Sequence, residues 1–244
     1  MTTFSSTELM AKLKPVLTAL GKAQAKKCTL SLSVNTTGTT AIVAGEWGKL
    51  SFHTADSSDV AFARSYVLSD VEGILSLDKS RFDLDLEAET LNDFPLFTAE
   101  PTLIEAGEVV QTAEVDDIGP LANKPVLPEI SKLLKKSLIR ESEYLLWRIT
   151  PDRLQLCQVY PTNWGVRYEL SGDYGVSICA YTNKLENKLL AKLLNGRFKV
   201  SKTRHGYLFE DATYSVFVTA REDLTAELYP RTVLPIRKEP NPHG

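Results

Sequence analysis

Four helix-like segments recur along the chain at nearly even spacing, and strand-like runs fill the intervals between them. The helix signals begin near residues 6, 69, 128 and 183, which are 63, 59 and 55 residues apart. The runs between them, such as "RFDLDLEAETL" and "YLLWRITPDRLQLCQVY", alternate in polarity or are rich in β-formers, and turn residues join them. The order of one helix followed by strands therefore occurs four times. It predicts an α+β fold in which helices cover one face of antiparallel sheets.

Helix-end residues locate some of these segments more closely. Ser5 and Glu8 have the spacing of a capping box before the first helix, and Asn183 and Glu186 have it before the fourth. Pro15 lies inside the first helical pattern, where a proline removes a backbone hydrogen bond. We therefore expect the first helix to kink or restart at Pro15.

Length and composition bound the number of domains. The chain has 244 residues, which allows one large domain or two of roughly 120 residues, and its 43% hydrophobic and 24% charged residues suit a globular protein with a sizeable core. A segment at the midpoint is acidic and carries Gly and Pro, which is typical of a linker. We predict two similar domains, each with two helices on antiparallel sheets, at residues 1–112 and 128–244, joined by a linker at 113–127. The N-terminus lacks the pattern of a signal peptide and no apolar run could span a membrane, so we expect a cytoplasmic protein.

The distribution of positive charge suggests a binding surface. The chain carries 28 Lys and Arg against 31 Asp and Glu, yet lysines gather on the polar faces of the first, third and fourth helices. Like charges four residues apart on a helix repel, so these stripes call for a reason. The predicted set is Lys12, Lys22, Lys26, Lys132, Lys135, Lys136, Arg140, Lys184, Lys188 and Lys192. If the helices share one surface, double-stranded DNA is the natural partner, contacted through its phosphates without reading sequence. The alternative is that each stripe is an ordinary solvated face.

Catalytic chemistry finds little support in the sequence. The candidates are His53 with Asp56, His205 with Glu210 and Asp211, and Cys157. None of them lies in a Gly-rich phosphate loop, a nucleophile elbow or a metal-ligand spacing. The three cysteines are an odd number and lie in or beside apolar strand-like runs, where buried free thiols are expected. We therefore predict a protein that is not an enzyme and has no catalytic residue, metal or cofactor.

Two stretches resemble a known family, the DNA sliding clamps. Residues 66–97, "YVLSDVEGILSLDKSRFDLDLEAETLNDFPLF", are similar to the helix, two strands and "DFP" turn of bacterial β clamps. Residues 229–238, "YPRTVLPIRK", resemble the apolar-Pro-apolar-Arg close of that family. A two-domain chain of this length is similar to the trimeric clamps of eukaryotes, archaea and T4-like phages.

The resemblance implies a function and its partners. In that family a closed ring encircles duplex DNA, with helices lining the hole, and holds the replicative DNA polymerase on its template. It implies a homotrimer that an ATP-driven clamp loader opens, in a bacterial or phage-infected cytoplasm. By position, the pocket for partner peptides would be formed by Val233, Leu234, Pro235 and Ile236, beside the linker around residues 115–118. The alternative is a structural or interaction protein of two α+β domains, for instance a viral assembly component.

Overall fold

A computed structural model of the protein describes residues 3–77, 81–117, 125–135, 144–159 and 164–221. Within these ranges the chain forms two consecutive sets of elements, here called the first and second units. The first unit comprises β1 (Thr3–Ser5), α1 (Thr7–Ala25), β2 (Thr29–Asn35), β3 (Gly38–Gly45), β4 (Gly48–Thr54), β5 (Phe62–Val67), α2 (Leu68–Leu77), β6 (Asp83–Asp85), β7 (Thr90–Leu91) and β8 (Phe94–Pro95). The second unit comprises β9 (Val109–Asp116), α3 (Val126–Lys135), β10 (Tyr144–Thr150), β11 (Arg153–Val159), β12 (Trp164–Ser171), β13 (Ile178–Thr182), α4 (Lys184–Leu193), β14 (Arg197–Thr203), β15 (Gly206–Glu210) and β16 (Tyr214–Thr219).

The two units share one topology. In the first unit β2 pairs with β3 and β5, and β3 pairs with β4; in the second, β10 pairs with β11 and β13, and β11 with β12. The remaining strands repeat as well, because β1-β6-β7-β8 in the first unit corresponds to β9-β14-β15-β16 in the second. All of these pairings are antiparallel. The prediction of an α+β fold built from repeated helix-plus-strands units is confirmed.

One sheet continues from the first unit into the second. Its order is β5-β2-β3-β4-β16-β15-β14-β9, so the units meet where β16 pairs with β4. At this junction Tyr214 lies opposite Phe52, and their rings pack edge to face with centroids 5.7 Å apart. The Tyr214 hydroxyl donates to the main-chain oxygen of Lys12 at 2.9 Å. The junction therefore joins the two sheets and also ties them to α1.

The four helices form a row on the sheets. Helix α1 packs against both α2 and α4, and α4 packs against α3, which gives the order α2-α1-α4-α3. The buried side of α1 includes Leu9, Leu13 and Val16, and that of α4 includes Leu189 and Leu193. Their lysines lie on the opposite, solvent-facing side, as the helical periodicity predicts. Among the described residues, no helix is both long and apolar enough to cross a membrane.

The start of α4 follows the prediction, whereas the start of α1 differs from it. Asn183 accepts the Glu186 N–H at 2.9 Å, and the Glu186 carboxylate accepts the Asn183 N–H at 2.7 Å, which completes the predicted capping box. At α1 the cap is Ser6, whose hydroxyl accepts the Leu9 N–H at 2.8 Å. The prediction of Ser5 as the cap is wrong because Ser5 still belongs to strand β1, which pairs with β6.

The kink in α1 lies at Gly21, not at Pro15 as predicted. Gly21 has φ 73° and ψ 167°, outside the helical region, while the helix runs through Pro15. A proline inside a helix leaves the carbonyl four residues earlier unbonded. That carbonyl belongs to Ala11, an exposed residue, so water can satisfy it.

Both ends of the predicted linker at 113–127 belong to regular secondary structure. Residues 113–116 belong to β9, which pairs with β14, and residues 126–127 begin α3. The chain passes between the units earlier, at residues 96–108. This connector runs along β5 through a bridge between Tyr66 and Thr98 and crosses β4, where the Lys49 ammonium donates to the Ile104 carbonyl at 2.8 Å. The division into domains remains a prediction, and the topological repeat favours starting the second domain at β9.

Candidate nucleic-acid interface

The predicted lysines lie on three of the four helices in the row. The exposed ones are Lys22 and Lys26 at the end of α1, Lys132 and Lys135 on α3, and Lys184, Lys188 and Lys192 on α4. Lys12 is half-buried. Lys136 and Arg140 lie outside the described residues. As predicted, α2 contributes no Lys or Arg, and its first turn carries Asp70.

Ion pairing divides these lysines into two groups. The Lys12 ammonium is 2.7 Å from a Glu8 carboxylate oxygen, and it also donates to the His53 carbonyl. The Lys132 ammonium lies 2.9 Å from the Glu129 carboxylate. The other exposed lysines of the set make no ion pair within the part of the chain that the structure describes: Lys22, Lys26, Lys135, Lys184, Lys188 and Lys192.

Two cations on strand β14 are paired with acidic side chains. Lys199 lies 3.5 Å from Glu114 on the neighbouring strand, and Arg197 lies 3.4 Å from Asp116. Such cross-strand pairs neutralise the positive charge of Lys199 and Arg197 locally. Among the described residues, lysines without an ion pair gather at the end of α1 and along α4, although Lys202 on β14 and Arg204 beside it also make none.

A cleft opens where the end of α1 meets the beginning of α4. It has a volume of about 540 Å³ and is lined by Gln24, Lys27, Glu46, Trp47, Asn183, Lys184, Leu185, Lys188 and Arg221. The helix dipole adds a partial positive charge at the start of α4, where the Asn183 side chain accepts the Glu186 N–H. Lys27 is exposed and was missing from the predicted set, although it directly follows Lys26.

A buried ion pair fixes the start of α4. The Arg221 guanidinium makes two hydrogen bonds to the Glu186 carboxylate, at 2.6 and 3.1 Å, and Glu186 is fully buried. Burial raises the pKa of Glu186, and the interaction with Arg221 opposes that rise. Arg221 also lies over the ring of Tyr144, 5.0 Å from its centroid. The backbone that carries Lys184 and Lys188 is thereby held in place.

The histidine-containing candidates for catalysis serve local structure. His53 is exposed, and Asp56 accepts hydrogen bonds from Ser6 and from the Leu9 N–H at the start of α1. Asp211, in the second cluster, accepts the N–H groups of the turn before β16. No group of three potential metal ligands occurs among the described residues.

Cys157 is also unsuited to act as a nucleophile. Its side chain is completely buried on β11, and burial raises its pKa to about 12. Because the thiolate is the reactive form, this thiol stays protonated and unreactive near neutral pH.

The predicted peptide pocket cannot be placed. Val233, Leu234, Pro235 and Ile236 lie outside the described residues. Of the linker expected beside them, Val115 is buried in β9 opposite Phe198.

Known proteins share the fold of this chain but not its sequence. The sequence matches no protein-family profile and no curated protein. Solved structures do match the fold. The DNA polymerase III beta subunit of Thermotoga maritima aligns with a TM-score of 0.66 and 13% identity, covering 95% of this chain and 68% of that one. The Helicobacter pylori beta clamp bound to a DNA ligase peptide aligns with a TM-score of 0.64 and 13% identity, covering 90% of this chain and 66% of that one.

A shorter clamp matches over almost its whole length. Proliferating cell nuclear antigen from Entamoeba histolytica aligns with a TM-score of 0.59 and 13% identity, covering 90% of this chain and 98% of that one. This chain thus spans about two thirds of the bacterial subunits. The protein has the fold of the DNA sliding clamps. Its extent is that of the Entamoeba antigen, and identities this low establish the fold alone.

Proposed function

We propose that the protein is a DNA sliding clamp, a ring of three copies that encircles duplex DNA and tethers a replicative polymerase without catalysing a reaction itself. The observation that carries the proposal is the unpaired positive charge on α1, α3 and α4 in a chain whose net charge is −3. The predicted DNA-binding residues keep that role in the proposal.

The chemistry of the surface suits a sliding contact. Lysine is a flexible point charge that binds phosphate without fixed geometry, and releasing counterions from DNA gives affinity without reading sequence. The exposed side chains of α4 between its leucines are lysines, which supply no bidentate base readout. Contacts of this kind hold the ring near the backbone and let it move along the duplex.

The repeat supports the proposed number of copies. One chain supplies two units, and its extent matches that of the Entamoeba antigen, whereas the bacterial subunits are longer. Three copies would contribute six units and twelve helices to one ring, with the helix row of each chain facing the DNA.

The same comparison supports the proposal of a partner peptide. The Helicobacter clamp is bound to a DNA ligase peptide, so a peptide contact is part of the proposal for this chain. We assign it to Val233, Leu234, Pro235 and Ile236, as the sequence predicts. A polymerase would use that contact, and an ATP-driven loader in a bacterial or phage-infected cytoplasm would open the ring.

Charge reversal on the helix row tests the proposal. The variant K184E/K188E/K192E should bind duplex DNA more weakly at low salt, because it replaces three candidate phosphate contacts with repulsion. The slope of log affinity against log salt should become shallower by about 0.9 for each phosphate that the variant no longer neutralises.

A matched control changes the same charge on the sheets. The variant K199E/K202E/R204E alters three exposed cations of β14 and the turn that follows it. It should leave binding near the parent level. An equal loss of affinity in both variants, or none in the α4 variant, would support the alternative that the lysine stripes are solvated faces of a structural protein.

A further inference from the structure

One sheet of the second unit carries an apolar cluster on the face that points away from the helices. Along β10, Leu145 and Trp147 belong to the main core together with residues of α3 and α4. Leu146 lies between them, and because side chains alternate along a strand it points to the opposite face. The buried members of this outer cluster are Leu146, Cys157, Val159 and Tyr181, and Tyr144, Val166 and Cys179 pack against them.

The equivalent face of the first unit is polar. The hairpins β2-β3 and β10-β11 close at equivalent pairs, Asn35 with Gly38 and Thr150 with Arg153, so the two sheets can be aligned residue by residue. In this alignment three serines of the first unit take the places of Leu146, Val166 and Tyr181, namely Ser31, Ser51 and Ser65. Because the two units share one topology, the apolar face is a property of the second unit's sequence and not of the fold.

The outer cluster is buried although its described members all belong to the sheet itself. Leu146 is 7% exposed, and Tyr181 is 4% exposed although it lies on β13, the edge strand of its sheet. The equivalent Ser31 and Ser65 are only half-buried. One face of an antiparallel sheet is open to water unless another segment lies over it. The cover of the outer cluster therefore has to come from beyond the described residues.

The last described residue lies at the border of this cluster. Strand β16 ends at Thr219, and Arg221 follows two residues later. The Arg221 guanidinium lies over the ring of Tyr144, 5.0 Å from its centroid, and its Nη1 donates to the Tyr181 carbonyl at 3.5 Å. The segment that follows Arg221 therefore begins beside two members of the outer cluster.

Residues 222–244 have the length and composition of a cover for this face. Their 23 residues reach up to about 75 Å when extended. The four strands of the sheet span only about 15 Å from edge to edge. The internal stretches outside the described ranges have eight residues or fewer. The segment also carries six large apolar side chains, Leu224, Leu228, Tyr229, Val233, Leu234 and Ile236.

We propose that residues 222–244 bind to the outer face of the sheet β10 to β13 of their own chain, with their apolar side chains on the outer cluster. Arg221 holds the start of the segment at Tyr144 and Tyr181. The inference does not depend on the proposed ring, because the segment and the face belong to one chain. The segment lies on the side of the sheet opposite the helix row, so it leaves the lysines open and places Val233 to Ile236 on the outer side.

The native thiols report whether the segment covers the face. Cys179 belongs to the outer cluster and is half-buried, whereas Cys28 is buried in the first unit. The full-length variant L228S/V233S/L234S replaces apolar side chains of the segment with polar ones. Release of the segment should make Cys179 react with N-ethylmaleimide about tenfold faster than in the parent, while Cys28 reacts at the parent rate. Mass spectrometry of tryptic peptides measures the two rates separately.

A variant of the face tests the same contact from the other side. L146S introduces the residue that the first unit has at the equivalent position, and trypsin should then cut after Arg231 about tenfold faster. I42S is the matched control, because Ile42 lies on the equivalent face of the first unit, at the position of Cys157. It should leave the cleavage rate unchanged. The control for the segment is T225S/T232S, which keeps the apolar side chains and should label like the parent.

The outcomes decide between this cover and its alternatives. Parent-like rates in both L228S/V233S/L234S and L146S would overturn the proposal, and so would equal acceleration of Cys28 and Cys179. Labelling of Cys179 in the parent that quickens on dilution would overturn it too, because the cover would then come from a second copy. If L146S fails to fold, which far-UV circular dichroism would show, the segment variant still decides, since it changes no residue of the sheet.

Discussion

Some residues of α4 and its surroundings stabilise the fold, whereas others are exposed and available to bind a partner. The buried Glu186 carboxylate accepts two hydrogen bonds from Arg221, while Lys184 and Lys188 on the same helix have no acidic partner among the described residues. A buried pair depends strongly on both members, because removing one leaves an uncompensated charge. An exposed lysine can be exchanged with little effect on folding. We therefore expect substitutions at these residues to separate stability from DNA binding.

Arg221→Ala should destabilise the fold by about 3 kcal/mol near neutral pH, because it leaves the Glu186 carboxylate buried without its cation. The pKa of Glu186 is already raised by burial, and losing Arg221 raises it further. A raised carboxyl pKa means that the folded state holds more protons than the unfolded state, so stability falls as pH rises from about 4 through the folded pKa. Urea unfolding should show a larger deficit of the variant at pH 7 than at pH 4.5.

The double variant R221A/E186Q is the control for that prediction. The glutamine side chain that replaces the Glu186 carboxylate cannot ionise, so the added pH dependence should disappear and part of the stability should return. A deficit that is equal at both pH values, or unchanged in the double variant, would show that Arg221 does not act through the Glu186 charge.

At the scale of elements, local signals were predictable and distant pairings were not. The capping box of α4 and the hairpin of β10 and β11 were predictable because their residues are neighbours in sequence. Strand β9 resembled a linker because Glu114 and Asp116 give it an acidic composition, although both extend from the sheet toward cations on β14. The junction of β4 with β16 pairs residues far apart in sequence, which no local pattern indicates.

In the candidate site, too, local features were predictable from the sequence and contacts between distant segments were not. The lysine stripe of α4 follows from helical periodicity alone, and the structure leaves it exposed. The cleft between α1 and α4 could not be predicted, since it depends on how two helices from different units pack together. The pairing of Lys12 with Glu8 was predictable as an i, i+4 contact.

The kink of α1 gives a test of helix conformation. A Cβ atom added at Gly21 or at Gly73 would have no neighbouring atom within 4 Å, so an alanine at either position meets open space. Gly21 has a positive φ that alanine adopts poorly, and Gly21→Ala should cost about 1–3 kcal/mol. Gly73 lies inside α2, and Gly73→Ala should stabilise by about 0.5–1 kcal/mol.

Thermal and urea unfolding of these two variants would measure both effects. Opposite signs are expected, because the two substitutions differ in backbone conformation and not in packing. Stabilisation by Gly21→Ala would mean that α1 can run straight through residue 21.

At the scale of the whole molecule, the repeat explains how one chain can build a larger assembly. The eight-stranded sheet joins the first and second units through β4 and β16, and the equivalent edges β12 and β8 remain unpaired within the described parts of the chain. The helix row lies across that junction, since α1 and α4 come from different units and pack together. Repeating the junction between copies would extend both the sheet and the row of lysine-bearing helices. A closed ring would then have a positive inner surface even though the chain is acidic.

Electron microscopy of the purified protein, imaged as single particles, is the most direct test of this assembly. We expect a closed ring of three copies with a central opening wide enough for duplex DNA and with α1 to α4 of each copy lining it. A solitary two-unit particle, or an assembly with no opening or with the helices on its outer surface, would contradict the proposal that this protein encircles DNA.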